Sequence, residues 1–212
     1  REAGLDRSLL SSYGHDDRVC AYAELEALFS LDMPEKTAVC ILADKEEIGS
    51  VGISGMQSHY FEHFMEGLCD AQGVKLSDCF ANSFCLSADV SNAFDPNWPE
   101  TCDKRNNSQL NYGVAICKYT GSRGKGGASD ASAEAMGHVR STLDKAGVIW
   151  QIATLGKVDQ GGGGTVAAYM ANRNIVTVDA GVPVLSMHAP LELVSKLDCY
   201  ETMLACKAIY LA

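Results

Sequence analysis

The sequence predicts an α/β fold in which three layers, helix, sheet and helix, contain a mainly parallel central sheet. Short apolar runs alternate along the chain with segments whose apolar residues recur at helical spacing. The first of these runs, residues 37–43, has the composition of a strand that is covered on both faces. With 212 residues, the chain is also long enough to bury one large hydrophobic core.

The individual elements follow from these patterns in chain order. Residues 17–29 carry apolar side chains at helical spacing, and Ser129 or Asp130 can cap a later helix that ends near Ala146. The predicted helices are 17–29, 55–71, 129–146, 164–171 and 191–211. The predicted strands are 37–43, 83–90, 112–119, 148–153, 174–178 and 184–188.

Two segments do not fit this alternation. Residues 93–108 form a long polar stretch with several prolines and asparagines, and residues 120–128 are rich in glycine and carry Arg123 and Lys125. Long loops in compact domains are usually functional or disordered. We therefore expect both segments to line a pocket or an interface between subunits.

The composition excludes several classes of function. The 17 Lys and Arg residues against 27 Asp and Glu residues give a net charge of −10, which disfavours binding to a nucleic-acid backbone. No apolar run approaches the ~18 residues of a membrane span. The nine cysteines lack C-x-x-C spacing and lie mostly among apolar residues, which favours reduced thiols in a cytoplasmic protein.

Motifs for nucleotide binding and for covalent catalysis are also absent. The glycine-rich residues 121–127 lack the first glycine and the final hydroxyl of a phosphate loop, and residues 161–164 lack G-x-G-x-x-G spacing. Residues 52–55 are one position short of the G-x-S-x-G turn of serine hydrolases. There is no H-E-x-x-H motif.

Acidic side chains and one histidine instead follow the predicted strands or precede the first helix. They are Asp16 and Asp17, Glu46 and Glu47, Asp89, and His188. In an open α/β sheet, ligands gather at the carboxyl ends of the strands. Mixed oxygen and nitrogen ligands suit divalent cations, above all zinc. The pattern therefore points to a metal site at this edge of the sheet.

The adjacent Glu46 and Glu47 suit a metal-dependent hydrolase in particular. Neighbouring side chains at a strand end point in different directions, so one can bind the metal while the other takes a proton from the metal-bound water. Two metals ~3.5–4 Å apart also need a bridging carboxylate, for which Asp16 is the candidate. Singly, each of these residues is more often a turn, a cap or a solvated side chain, so the residues alone leave both interpretations open.

In these regions the sequence resembles the aspartyl aminopeptidase family of dinuclear zinc aminopeptidases, in particular its bacterial branch. The similarity extends over nearly the whole chain, and the matching stretches are residues 13–22, 44–50, 87–90, 118–127 and 186–188. The resemblance implies a zinc-exopeptidase-like fold in which residues 1–212 form the carboxyl-terminal portion of one catalytic domain. The family's upstream metal-binding histidine and its inserted β-rich domain have no counterpart in this sequence.

The resemblance implies a role for each matching residue at the centre. Asp16 would bridge two divalent metal ions, most simply zinc, with cobalt or manganese as alternatives. Glu47 and His188 would complete one metal site, and Asp89 would bind the other ion. Glu46 would be the general base.

The family pattern also implies positions for the substrate. Lys118, Gly164 and Thr165 match positions near the family's substrate pocket. Asn92 stands where eukaryotic members have a histidine that contacts an acidic substrate side chain, which leaves the acidic preference open. The Asp16–Asp17 peptide bond is expected to be cis, as in related di-zinc enzymes.

The implied function is removal of the amino-terminal residue from short peptides by a metal-bound water that Glu46 activates. The expected protein is cytoplasmic and forms a large homo-oligomer, without nucleic acid or membrane as partner. Two alternatives remain. One is a different di-metal hydrolase of similar fold, such as a deacylase or a carboxypeptidase, and the other is a non-catalytic assembly subunit with an incomplete site.

Overall fold

The computed structural model describes residues 1–212 and confirms the α/β class. Its helices are α1 (His15–Phe29), α2 (Tyr60–Gln72), α3 (Leu76–Ala81), α4 (Ala133–Ala146), α5 (Ala167–Ala171) and α6 (Lys196–Tyr210). Its strands are β1 (Glu2–Ala3), β2 (Leu9–Ser12), β3 (Phe84–Ala88), β4 (Ser91–Asn92), β5 (Val114–Cys117), β6 (Tyr119–Ser122), β7 (Gly126–Asp130), β8 (Trp150–Ile152), β9 (Val176–Gly181), β10 (Pro183–Leu185) and β11 (Glu192–Ser195).

The central sheet has four strands in the order β3–β9–β5–β8. The pairs β3–β9 and β5–β8 are parallel, whereas β5 and β9 are antiparallel, so the sheet is mixed. Burial on both faces explains why these strands read as continuous apolar runs. A run of this kind does not encode the direction of a strand, which depends on the connections.

Helices cover both faces of this sheet, which gives the predicted three layers. On one face, Val114, Ile116 and Val178 pack against side chains of α4 and α6, among them Val139. On the other face, β3 contributes Cys85 to the apolar cluster that α2, α3 and α5 form. Helix α1 packs against α6.

A second sheet has five strands in the order β1–β2–β11–β10–β4. Its central pairs are antiparallel, with Val194 opposite both Val184 and Leu10. Its core contains Val184 and Val194 packed with Val19 and Cys20 of α1. This packing fixes the start of α1 against the turn that follows β10.

Three predictions from the sequence differ from the structure. Residues 37–43 form no strand, and none of these seven residues takes part in a backbone–backbone hydrogen bond. The glycine-rich residues 120–128 belong to the hairpin β6–β7 instead of a loop. The last predicted helix, 191–211, begins only at Lys196, because residues 192–195 pair as β11 with β2 and β10.

The remaining elements agree apart from their ends. Helix α4 begins at Ala133 because the Ser132 hydroxyl accepts a hydrogen bond from the Ala135 N–H, so Ser132 is the cap in place of Ser129 or Asp130. Helix α2 begins at Tyr60, later than predicted. All nine cysteines are free thiols.

No helix combines the length and the apolarity that are needed to cross a bilayer.

Candidate metal centre

The first turn of α1 places two adjacent carboxylates at the site. Gly14 precedes the helix with a left-handed φ of 73°, and a Cβ built there would lie 2.2 Å from the Arg18 guanidinium. Asp16 and Asp17 have non-helical backbone angles, and the peptide bond between them is cis, as the resemblance implies. The non-helical backbone angles place the two carboxylates away from ordinary helical positions.

One group of ligand atoms joins three distant parts of the chain. The Nε2 atom of His188 lies 2.8 Å from Asp16 Oδ2 and 3.0 Å from Glu47 Oε1. His188 follows β10 with a φ of 66°, and Glu47 lies in a 3₁₀ turn, Glu46–Ile48. The side chains of Glu47 and His188 are more than half exposed, so solvent reaches this group.

A second group lies deeper and shares Asp16. Carboxylate oxygens of Asp16, Asp17 and Asp89 lie within 4.8 Å of one another. Asp89 follows β3 directly, at the carboxyl end predicted from the sequence. The sequence analysis includes Asp17 among the acids of this region but assigns it no separate role at the metals, and its place directly after Asp16 is the only signal for one.

Burial and repulsion between neighbouring carboxylates raise the pKa values of the acids in these two groups. Burial, and next the neighbouring Glu47, raise the pKa of Asp16 to about 6, against the opposing effect of His188. Burial, and next Asp89, raise the pKa of Asp17 to about 9. Burial and the Asp16 carboxylate raise the pKa of Asp89 well above its ordinary value.

Glu46 belongs to neither group of ligand atoms, although it lies close enough to feel their charge. Burial, and next Glu47 and Asp16, raise its pKa, while His188 lowers it. A carboxylate with a raised pKa that stands beside a metal site is suited to accept and return a proton. The family resemblance likewise implies that Glu47 binds the metal and that Glu46 does not.

Glu192 holds the two halves of the first group in place, and the sequence analysis did not identify it. Its buried carboxylate accepts the backbone N–H of Asp16 at 3.1 Å and that of His188 at 2.9 Å. It therefore connects the start of α1 to the turn after β10. It lies in the segment that the sequence predicts as part of the last helix, where a single acid gives no sign of a site.

The donor set fits a divalent cation. The Oδ1 atom of Asp17 is buried and has no hydrogen-bond partner. An unpartnered buried carboxylate oxygen is costly unless a cation or a proton neutralises it. The first group offers two carboxylates and one imidazole, a ligand set that zinc accepts. Asp16, Asp17, Glu47, Asp89 and His188 could thus hold metal ions here.

The predicted substrate residues lie beside the central sheet, outside these two groups. Lys118 is exposed and pairs with Asp130 of β7. The Thr165 hydroxyl is buried and donates to Asp179 at 2.5 Å. Gly164 packs so closely on Gly127 that an added Cβ would lie 2.7 Å from its carbonyl oxygen. In this arrangement the Lys118 ammonium and the Thr165 hydroxyl already have partners within the chain.

The arrangement has the parts of a metal-dependent hydrolytic site. Carboxylates and one imidazole can hold cations, and the carboxylate of Glu46, which could accept a proton, lies beside them. A bound cation would also oppose the effect of burial and repulsion on these carboxylates, because it favours their ionised forms. None of these side chains is a serine or cysteine nucleophile paired with a base.

Comparison with known proteins agrees with this description. The model of one protein family, described as aminopeptidase I zinc metalloprotease (M18), matches residues 1–210. A curated protein of Clostridium acetobutylicum, named a probable M18 family aminopeptidase 1, is 50% identical over 206 residues, which are 95% of this chain and 44% of that protein.

Two solved structures are similar over essentially the whole chain. The crystal structure of an M18 family aminopeptidase from Thermotoga maritima has a TM-score of 0.95 and 45% identity, and the match covers 99% of this chain and 48% of that one. The crystal structure of aminopeptidase I from Clostridium acetobutylicum has a TM-score of 0.94 and 48% identity, and the match covers 100% and 46%. The chain thus spans about half the length of the relatives it matches.

Proposed function

Because the chain belongs to the M18 family of aminopeptidase I zinc metalloproteases, we propose that it carries the metal centre of an enzyme that removes the amino-terminal residue from short peptides. The observation that carries this proposal is the convergence of Asp16, Glu47 and His188 from three separate segments, with Glu46 beside them but outside the group. Five acids gather here, Asp16, Asp17, Glu46, Glu47 and Asp89, and only Asp16 and Glu47 among them have an ion-pair partner, His188.

The chain's own residues divide into metal-holding and proton-transferring groups. Asp16, Glu47 and His188 would hold one ion, and Asp16, Asp17 and Asp89 would contribute to a second. Zinc is the expected metal, with cobalt and manganese as alternatives. When bound, the ions supply Lewis acidity that polarises the scissile carbonyl and stabilises the negative charge developing on its oxygen.

Glu46 performs the proton transfers of the proposed hydrolysis. It takes one proton from the attacking water as the new C–O bond forms at the scissile carbonyl carbon. It then returns this proton to the amide nitrogen as the C–N bond breaks, so the carboxylate is regenerated.

The second ion needs one ligand more than this chain supplies if the family pattern holds. The resemblance implies a histidine from a region that has no counterpart in these 212 residues. A protein of the relatives' length has room for this ligand, because the match covers only 44–48% of those chains. We therefore place the complete two-ion site in a polypeptide of that length.

The preference for the first residue of the substrate involves the surroundings of Asn92 and Lys118. The Asn92 amide lies 3.6 Å from the Cys102 sulfur, and the Asn92 carbonyl accepts hydrogen bonds from Asn107 and Ser108. These contacts tie Asn92 to the segment 93–108. Lys118 remains the candidate basic group for an acidic substrate, provided that it leaves Asp130. The protein is still expected to be a cytoplasmic homo-oligomer. Sedimentation of the intact protein would test its oligomeric state.

The direct experiment is Glu46→Gln in a polypeptide of the relatives' length that carries this sequence. We expect unchanged zinc content and a loss of turnover of about 10²–10⁴-fold, since the amide cannot accept the proton. Glu66→Gln, on the exposed face of α2, is the matched control and should retain full activity. Near-normal turnover by Glu46→Gln would show that another group is the base.

A pair of substrates separates the competing functions. An aminopeptidase requires the free α-amine, so a short peptide should be cleaved and its N-acetylated form should not. Equal cleavage of both would favour a carboxypeptidase, and removal of the acetyl group would favour a deacylase. A protein that neither binds zinc nor cleaves any of these peptides would be the non-catalytic subunit.

A further inference from the structure

One loop, residues 44–58, carries the two glutamates of the metal centre in its 3₁₀ turn, Glu46–Ile48. The loop closes on itself, because the Asp44 N–H donates to the Ser54 carbonyl at 3.3 Å and the Ser54 hydroxyl donates to the Asp44 carboxylate at 2.8 Å. Hydrogen bonds of this kind fix the shape of the loop. They do not fix its place relative to the other ligands of the metal centre, which belong to other parts of the chain.

The carbonyl of Gly49, directly after this turn, receives two hydrogen bonds from farther along the chain. The Gln57 amide donates to it at 2.6 Å and the Tyr169 hydroxyl of α5 donates at 3.3 Å, and the Gln57 amide also donates to the Tyr169 oxygen at 3.4 Å. The N–H of Gly49 in turn donates to the Glu46 carbonyl at 2.9 Å. The backbone that carries Glu46 and Glu47 is therefore connected to α5 through Gly49.

Arg173, two residues after α5, holds the far end of the same loop. Its guanidinium donates to the carbonyls of Met56 at 3.0 Å and Ser58 at 3.4 Å. It also donates to the Glu62 carboxylate at 2.8 Å and to the Tyr169 carbonyl at 2.8 Å. The side chain is only 13% exposed. Its planar fork of donors reaches four acceptors at once, which the compact ammonium of a lysine does not match.

Helix α5 is itself fixed to the central sheet. The hydroxyl of Thr165, two residues before the helix, donates to Asp179 of β9 at 2.5 Å. Met170 of α5 and Met56 of the loop are buried in one apolar cluster. The helix thus connects the sheet to the loop of the two glutamates.

We propose that Tyr169 and Arg173 are positioning residues of the metal centre, which hold the loop so that Glu47 joins the ligand atoms and Glu46 lies beside them. Neither side chain belongs to the groups of ligand atoms, so both act through the backbone of the loop. The part that concerns Glu46 rests on the proposed function. The part that concerns Glu47 predicts an effect on metal binding alone and needs no enzymatic activity.

Tyr169→Phe tests the proposal with a small change, since it removes one hydroxyl and leaves the ring in place. Loss of this hydrogen bond should weaken zinc binding by the 212-residue chain about 3–10-fold, measured by competition with a chelator. The visible absorption of the chain loaded with cobalt should also change, because it depends on the geometry of the ligands. Tyr200→Phe, on the exposed face of α6, is the matched control and should alter neither quantity.

A double-mutant cycle separates positioning from a general loss of stability. Because Tyr169 acts by placing Glu47, Tyr169→Phe should change zinc affinity by less than about twofold in a chain that already carries Glu47→Ala. An equal loss of affinity with and without Glu47 would show that the hydroxyl only stabilises the fold. That result would overturn the proposal for Tyr169.

Arg173→Lys tests the second positioning residue. Lysine keeps the charge beside Glu62 but loses the fork that binds the two loop carbonyls. It should weaken zinc binding at least as much as Tyr169→Phe does. In a polypeptide of the relatives' length, kcat should fall about tenfold or more while KM changes less than about twofold, because a displaced base slows proton transfer and leaves substrate binding intact. Arg7→Lys, at an exposed side chain, is the matched control.

Failure of this proposal and failure of the proposed function give different results. A wild-type polypeptide that binds zinc but cleaves no peptide would remove the proposed function, and the zinc and cobalt measurements would still decide the roles of Tyr169 and Arg173. Wild-type zinc affinity and kcat in both variants would overturn the positioning roles and leave the function in place. A rise in KM alone for Arg173→Lys would also overturn its role, because Arg173 would then serve substrate binding.

Discussion

At the scale of single residues, Glu192 explains best how the metal centre keeps its shape. One buried carboxylate accepts the backbone N–H groups of both Asp16 and His188, which are 172 positions apart in the chain. The hydrogen bonds hold the backbone of two metal-binding candidates and leave their side chains free. Partners of this kind usually change metal affinity when they are lost.

We predict that Glu192→Gln weakens zinc binding by about 10–100-fold without removing a ligand. The amide keeps one acceptor oxygen but turns an NH₂ group toward the second backbone N–H, so one of the two contacts is lost. Zinc affinity measured by competition with a chelator checks this. Glu201→Gln is the matched control, because Glu201 is also a buried acid, whose carboxylate accepts the Ile149 N–H away from the site.

His188→Ala should abolish binding of the more exposed zinc ion, since it removes the only imidazole of the first group. Metal analysis after dialysis should find the loss in this variant, and His63→Ala, an exposed histidine of α2, should keep the wild-type content. Equal zinc in both variants would contradict a ligand role for His188.

The sequence indicated most of the candidate metal-site residues but not the residue that holds their backbone in place. Asp16, Glu46, Glu47, Asp89 and His188 could be chosen because acids at strand ends are unusual in number here, and the structure brings them together; their roles remain predictions. Asp17 was included among these acids, but no separate role was predicted for it. Glu192 gave almost no signal, because what a buried acid bonds to depends on residues far away in the chain.

At the scale of elements, Asp179 of β9 connects two other segments to the central sheet by hydrogen bonds. Its buried carboxylate accepts the Thr165 hydroxyl at 2.5 Å, and the Thr120 hydroxyl of β6 lies at 3.5 Å. Burial raises the pKa of Asp179 to about 6, although hydrogen bonds from Thr165 and Ser87 lower it in part. The hairpin β6–β7 and the residues before α5 are thus tied to one titratable group.

This raised pKa predicts how stability depends on pH. Between pH 4 and 6, the folded chain keeps a proton on Asp179 that the unfolded chain has released, so the contribution of Asp179 to stability is lost as the pH rises through this window. The free energy of unfolding of the wild type, relative to Asp179→Asn, should fall by about 2 kcal/mol from pH 4 to 6. Urea denaturation checks this, and a constant difference across the window would contradict it.

Prediction of helices and strands from the sequence succeeded where the local residue pattern determines the structure. It failed where pairing with another segment determines it. Helix α1 and strands β3 and β5 were predicted from spacing and apolar runs. The hairpin β6–β7 was missed because its glycine-rich sequence looks like a loop until the two halves pair. Residues 37–43 have the composition of a strand, but a strand forms only beside another edge.

At the scale of the whole molecule, the sequence sufficed for the α/β class, the three layers and the family, but not for the sheet topology. The antiparallel pairing of β5 with β9 and the separate five-stranded sheet depend on long connections that apolar runs do not encode. The two sheets matter for the site, because β3 brings Asp89 to it and β10 brings His188. The centre therefore exists only when the whole chain is folded.

The central claim is that this folded chain gathers side chains for divalent cations, with Glu46 beside them. Anomalous diffraction at the zinc absorption edge, from crystals of the chain grown with zinc, tests it most directly. We predict a peak bounded by Asp16, Glu47 and His188, with no oxygen of Glu46 among its ligands. Zinc bound elsewhere on the chain, with no peak between these three side chains, would contradict the claim.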